Sequence, residues 1–232
     1  MAPIKIDIVS DTVCPWCLVG LRRLQKAIEK VQRNHSPSPS FTLSFHPFQL
    51  DPHSPIPGED KRARYVRRFG SAERVNGMHQ QMTELGKTIG VEFKWGGKSG
   101  NTLDSHRLIQ FAKEREQSGD QVQDGRGGGG HVKVVEALFK AYFEEEKDIT
   151  DLEVLVEAGV RGGLKGEDVR EYLESSGGQA VIEKELREAR SKAITGVPHF
   201  TVNKNDNWQL SGGRETGEWV QVLERVIALE KR

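Results

Sequence analysis

Apolar and polar residues alternate along Ile4-Lys5-Ile6-Asp7-Ile8, the period-two pattern of a strand. Further on the period lengthens. Leu21, Leu24, Ile28 and Val31 fall at i, i+3, i+7 and i+10, one stripe of a helix. The pattern predicts a strand over 3–9 and a helix over 14–32. Pro37 and Pro39 mark a loop. Phe41, Leu43 and Phe45 then alternate with Thr42, Ser44 and His46, a second strand that Pro47 ends. A right-handed return beside the first strand makes a parallel βαβ unit.

Pro52, Pro55, Pro57 and Gly58 form a loop, after which the period is helical as far as residue 193. Residues 61–68 read as a basic helix whose charged face is solvated, with an anion-binding patch as the sharper alternative. Residues 72–89 read as a helix stopped by Gly90, and 91–95 as a short extended piece. Asn101 or Thr102 caps the next helix. Ser118 to Gly130, SGDQVQDGRGGGG, reads as a flexible connection, not a phosphate loop. A helix follows from His131, and Thr150-Asp151-Leu152-Glu153 has the form of a capping box. Helices over 167–173 and 180–193 complete the segment. Phe200 and Val202 read as strand, 203–207 as a hairpin loop and 208–210 as a fourth strand. A last helix starts at Thr216 with Trp219, Leu223, Val226 and Ile227 inward.

Charge adds exclusions. Thirty-four Lys plus Arg balance thirty-four Asp plus Glu, so no global field favours nucleic acid or an acidic membrane. No apolar run approaches the ~20 residues of a membrane span. Met1-Ala2-Pro3-Ile4-Lys5 lacks the form of a secretory signal, and the expected setting is the reducing cytoplasm.

The chemistry lies in Cys14 and Cys17, the two cysteines of the chain. They sit three apart where strand gives way to helix, on one helical face with Cα atoms roughly 5 Å apart. That is inside the ~4.4–6.8 Å window of a disulfide, so the pair can close with little backbone movement. So short a loop adds little as a structural staple. Cys14 falls at the positive end of the helix, where a thiolate is favoured. Pro15 suits the first turn. Cys14 is therefore expected to be the exposed attacking thiol and Cys17 the buried resolving one. A zinc half-site is the competing reading, but there is no second cysteine pair, and His35, His46 and His53 show no tight ligand spacing. Incidental core cysteines are the other.

The stretch Asp11 to Gly20, DTVCPWCLVG, resembles the active-site opening of DsbA-like thioredoxin-fold oxidoreductases. The branch it is most similar to is the FrnE-like one, near the 2-hydroxychromene-2-carboxylate isomerases and kappa-class glutathione transferases. Ile194 to Asn203, ITGVPHFTVN, resembles the family's cis-proline turn before the third strand. A cis X-Pro bond costs only about 0.5–1 kcal/mol. The resemblance implies that Val197 and Pro198 face the cysteine pair and leave backbone groups free for a substrate strand. It also implies an α/β thioredoxin fold, βαβ…ββα, with a large all-helical insertion. Residues 1–56 and 194–232 would form the thioredoxin-like part and 57–193 the inserted helices.

Other positions resemble the family less sharply. Phe48 follows the second strand where the family has an aromatic near the active face, with core packing as the plainer role. Asn101 and His106 match a stretch that lines the substrate cleft in the isomerase and transferase relatives; alone they read as a cap and a semi-buried histidine. Ser211-Gly212-Gly213-Arg214 departs from the family's small-residue turn at its last two positions. Pro15 and Trp16 set how many donors stabilise the Cys14 thiolate, and an Asp11 carboxylate near it would oppose ionisation, with a loop or cap role as the plainer reading of Asp11.

The expected function is thiol–disulfide oxidoreduction through Cys14 and Cys17. The expected substrate is a protein or small-molecule thiol or disulfide. No tightly bound cofactor is implied beyond the redox pair, with glutathione a candidate co-substrate. Two alternatives stand: a glutathione-dependent isomerase or transferase on the same fold, whose members usually carry serine where this chain has Cys14, or a non-catalytic peptide- or metal-binding protein. Oligomeric state is open.

Overall fold

The computed structural model describes residues 2–118 and 130–230. The chain runs β1 (Ile4–Ser10), α1 (Pro15–Asn34), β2 (Phe41–Pro47), β3 (Glu59–Asp60), α2 (Lys61–Phe69), α3 (Ala72–Ile89), β4 (Lys98–Ser99) and α4 (Leu103–Gln117). It continues through α5 (Gly130–Phe143), α6 (Leu152–Arg161), α7 (Gly166–Glu174), α8 (Gln179–Ser191), β5 (His199–Val202), β6 (Gln209–Ser211) and α9 (Thr216–Glu230). The Gly-rich connection read from the sequence lies, over 119–129, outside the described residues.

Four strands form one sheet in the order β2-β1-β5-β6. β1 pairs parallel with β2, Ile6 opposite Leu43, and antiparallel with β5, Ile8 opposite Phe200. Ile4, Ile6 and Ile8 of β1 and Phe41, Leu43 and Phe45 of β2 are buried in alternation, as the period of two requires. α1 packs on α9, whose Trp219 meets Phe200 edge-on at 4.8 Å between ring centres. Gly20 lets α1 approach the sheet end: a Cβ there would lie 3.0 Å from the Phe200 ring and 3.1 Å from Pro198.

The helices α2–α8 lie between β2 and β5 in the chain. Gly90 ends α3 in the left-handed conformation at φ 74°, its N–H bonded to Gly86 O. Residues 91–95 pair in no ladder, and a short pairing joins β3 with β4. Two details differ from the sequence reading. Asp151, not Thr150, caps α6, accepting from Glu153 N. Thr150 Oγ1 accepts from Gly58 N and donates to Asp148, so its hydroxyl is committed elsewhere. Lys61 is fully buried, not on a solvated face.

Candidate active site

Cys14 is the N-cap residue of α1, with extended backbone (φ −90°, ψ 113°), and Pro15 opens the first turn. A tight turn delivers it there: Cys14 N donates to Asp11 O at 3.1 Å. Cys14 O then accepts from Cys17 N at 3.1 Å, which sets Cys17 one turn on. Both thiols are free. Cys14 Sγ–H donates to Val197 O at 3.7 Å, across the Val197–Pro198 turn, whose peptide bond is cis. The structure thus brings Cys14 and the Val197–Pro198 turn together.

The expected exposure of Cys14 needs correcting. Cys14 is 5% exposed against 2% for Cys17. The Val197 carbonyl of that turn is one of the groups against the sulfur. The exposed member of the motif is Trp16, at 46%, whose ring lies on Gly213: a Cβ there would stand 3.0 Å from it. Gly213 therefore has a packing reason to be small, and Arg214 turns away to Glu218 at 3.4 Å.

Cys17 has a different environment. Burial first, and then the Cys14 sulfur, push its thiol well above the ordinary cysteine range. The Ser10 hydroxyl and the Asp11 backbone N–H oppose this by hydrogen bonding to the sulfur. A thiolate formed at Cys17 therefore meets two donors.

Asp11 is 1% exposed. Its Oδ2 accepts from Leu50 N at 2.7 Å, while Oδ1 has no hydrogen-bond partner and stands 3.5 Å from His106 Nε2. His106 is buried, deeper than the sequence suggested, and Nε2 lies 2.9 Å from Phe48 O. With a carbonyl as the nearer partner, Nε2 carries the proton and donates. Phe48 thus serves the site through its carbonyl, with a half-buried side chain. Asn101 is fully engaged within the protein: Oδ1 accepts from Leu103 N and Gln49 Nε2, and Nδ2 donates to Pro52 O. It stands one residue before Thr102, the N-cap of α4, receives the first N–H of that helix and ties the segment after β2 to it.

Several neighbours were not singled out from the sequence. Thr12 Oγ1 meets Ser105 Oγ at 2.7 Å, linking the loop before Cys14 to α4, and Gln49 reaches Asn101. Lys61 Nζ donates to Tyr142 O at 2.8 Å and lies 3.7 Å from the centre of that ring. Elsewhere in the basic run, Arg64 pairs with Asp51 and Glu59, and Arg67 with Glu59. A hydroxyl, amide or lysine whose partner is distant in the chain carries no local sequence signal. Beyond the Val197–Pro198 turn, a cleft of about 1020 Å³ opens between α8 and the polar face of the sheet. Among the described residues no three His, Cys, Asp or Glu side chains are grouped to hold a metal.

Comparison with known proteins agrees with this geometry. An uncharacterised protein of Bacillus subtilis, YwbO, is 26% identical over 200 residues, covering 86% of each chain. The structure superposes on a probable DsbA oxidoreductase of Streptomyces coelicolor with a TM-score of 0.82 at 25% identity, covering 97% of this chain and 90% of that one. The cytosolic disulfide reductase DsbM of Pseudomonas aeruginosa, solved with glutathione, shares the fold at a TM-score of 0.57 and 16% identity, covering 97% and 99%. Residues 5–217 match the DSBA-like thioredoxin domain, and the chain belongs to that family.

Proposed function

We propose that the protein is a thiol–disulfide oxidoreductase working through Cys14 and Cys17. The observation that carries the reading is the free Cys14 thiol at the α1 N-cap, opposite Val197, with Cys17 one turn behind it. The Cys14 thiolate attacks a substrate disulfide, whose S–S bond breaks; the departing sulfur takes a proton. Cys17, beside the Ser10 hydroxyl and the Asp11 N–H, then attacks Cys14 Sγ, its proton passing to the departing second substrate sulfur. The mixed disulfide breaks, the second substrate thiol leaves, and Cys14–Cys17 closes as two electrons pass to the substrate. The reverse sequence oxidises a dithiol.

The glutathione-dependent alternative draws no support from the basic run as an anion-binding patch, because Arg64 and Arg67 already face carboxylates of this chain. Glutathione stays a candidate co-substrate in the redox reading, and a cytoplasmic setting the proposed one.

The test is a redox titration against glutathione buffers, following Trp16 fluorescence and free thiols. A single two-electron transition, abolished in Cys14→Ser, is expected, and its midpoint gives the direction of use. A protein whose thiols never respond overturns the proposal.

A further inference from the structure

His46, on β2, has both ring nitrogens committed. Nε2 lies 3.1 Å from Asp7 Oδ1 on β1, and Nδ1 lies 3.1 Å from Glu185 Oε2 on α8. A neutral imidazole has one N–H, so donating to both carboxylates takes the imidazolium. Burial disfavours the charged ring, but the hydrogen bonds to Asp7 and Glu185 outweigh it and raise the His46 pKa above its ordinary value. The other charges acting on this group are Lys113 and His106 on α4 and Lys204 beyond β5. α5 presents the apolar Val135. With Asp7, Glu185 and Lys113 ionised, a protonated His46 makes the four-residue cluster neutral, and its loss of a proton leaves one negative charge.

The position of α8 gives this bridge a consequence. The chain leaves α8 at Ser191 and passes directly into the turn that carries Val197, whose carbonyl receives the Cys14 thiol. We propose that His46, bridging Asp7 and Glu185, is a positioning residue that fixes α8 and sets the Val197 carbonyl against Cys14. The reactivity of Cys14 then depends on pH in the neutral range. This rests on Cys14 being the reactive thiol.

The sign follows from the raised value. The bridge is complete below the ordinary histidine pKa of 6.5 and is lost as pH rises through the higher folded one. Above that, one carboxylate faces a ring lone pair, and α8 and the turn loosen together.

Two measurements on the full chain test this. The His46 ring proton resonance, assigned by its loss in His46→Gln, is expected to titrate above 6.5 in the wild type. In Glu185→Gln it is expected to titrate lower, because the amide can donate to a neutral Nδ1 and keep both contacts. Alkylation of Cys14 by iodoacetamide, followed by mass spectrometry between about pH 6 and 8.5, is expected to show a step of about threefold at the His46 titration. That step rides on thiol ionisation and disappears in Glu185→Gln and, from the other side, in Asp7→Asn. Superimposable profiles for wild type and both variants overturn the proposal, as does a wild-type His46 that titrates below 6.5. A protein that shows the step yet exchanges no disulfide sustains the positioning role while refuting the oxidoreductase reading.

Discussion

Asp11 does two separable things: its Oδ2 holds the Leu50 N–H, and its Oδ1 brings an unpartnered acceptor beside His106. Asp11→Asn keeps an acceptor for Leu50 and is expected to fold with near wild-type stability. Asp11→Ala leaves that N–H unpaired and is expected to lose about 1–3 kcal/mol in urea unfolding. Equal losses in the two would show that the hydrogen bond to Leu50 is not what Asp11 contributes. The motif around Cys14 made Asp11 visible in the sequence, because proximity to the thiols follows from three residues of separation. His106 was legible as a semi-buried histidine in a stretch that resembles a cleft lining, but its approach to Asp11 was not, since that depends on how α4 docks. Gly20 is the same lesson in packing. Gly20→Ala would press a methyl on Phe200 and Pro198 at 3.0 and 3.1 Å, and a cost of about 1–3 kcal/mol is expected by thermal or urea unfolding.

Among the elements, α2 departs most from its sequence reading. Its first residue, Lys61, is buried to 0% exposure and supplies a donor to the Tyr142 carbonyl near the end of α5, where helical carbonyls lack partners. Burial is the main force on this amine, and it lowers the pKa from 10.5 to about 8. Between those values the unfolded chain binds a proton that the folded chain does not, so stability rises with pH there. The full gain is about 3 kcal/mol. Chemical denaturation between about pH 8 and 9.5 is expected to show the rise, and Lys61→Met to abolish it; a flat wild-type profile would refute the assignment. Periodicity and a run of five cations placed the helix correctly but not its environment, because the carbonyl that receives Lys61 is on α5, far along the chain. Strand alternation, the Gly90 stop and the inward face of α9 were legible because each is written in neighbouring residues.

For the molecule as a whole, equal numbers of acidic and basic residues and an isoelectric point near 7.1 predict least solubility close to neutral pH. Turbidity at high protein concentration across pH is expected to peak there, and a peak displaced by more than about one unit would mean that buried groups shift the balance. The order βαβ, helices, ββα was readable because the two strand regions at either end carry their own motifs. The helical packing between them was not. The sheet order has one more consequence, for biosynthesis. β1 sits between β2 and β5, so its β2 side can pair as soon as residue 47 emerges, whereas its other edge must wait for residue 199. At about 5–20 residues per second that wait is on the order of ten seconds or longer. Throughout it the nascent chain presents an open strand edge flanked by both cysteines, and a chaperone or a second nascent chain has that interval in which to claim it.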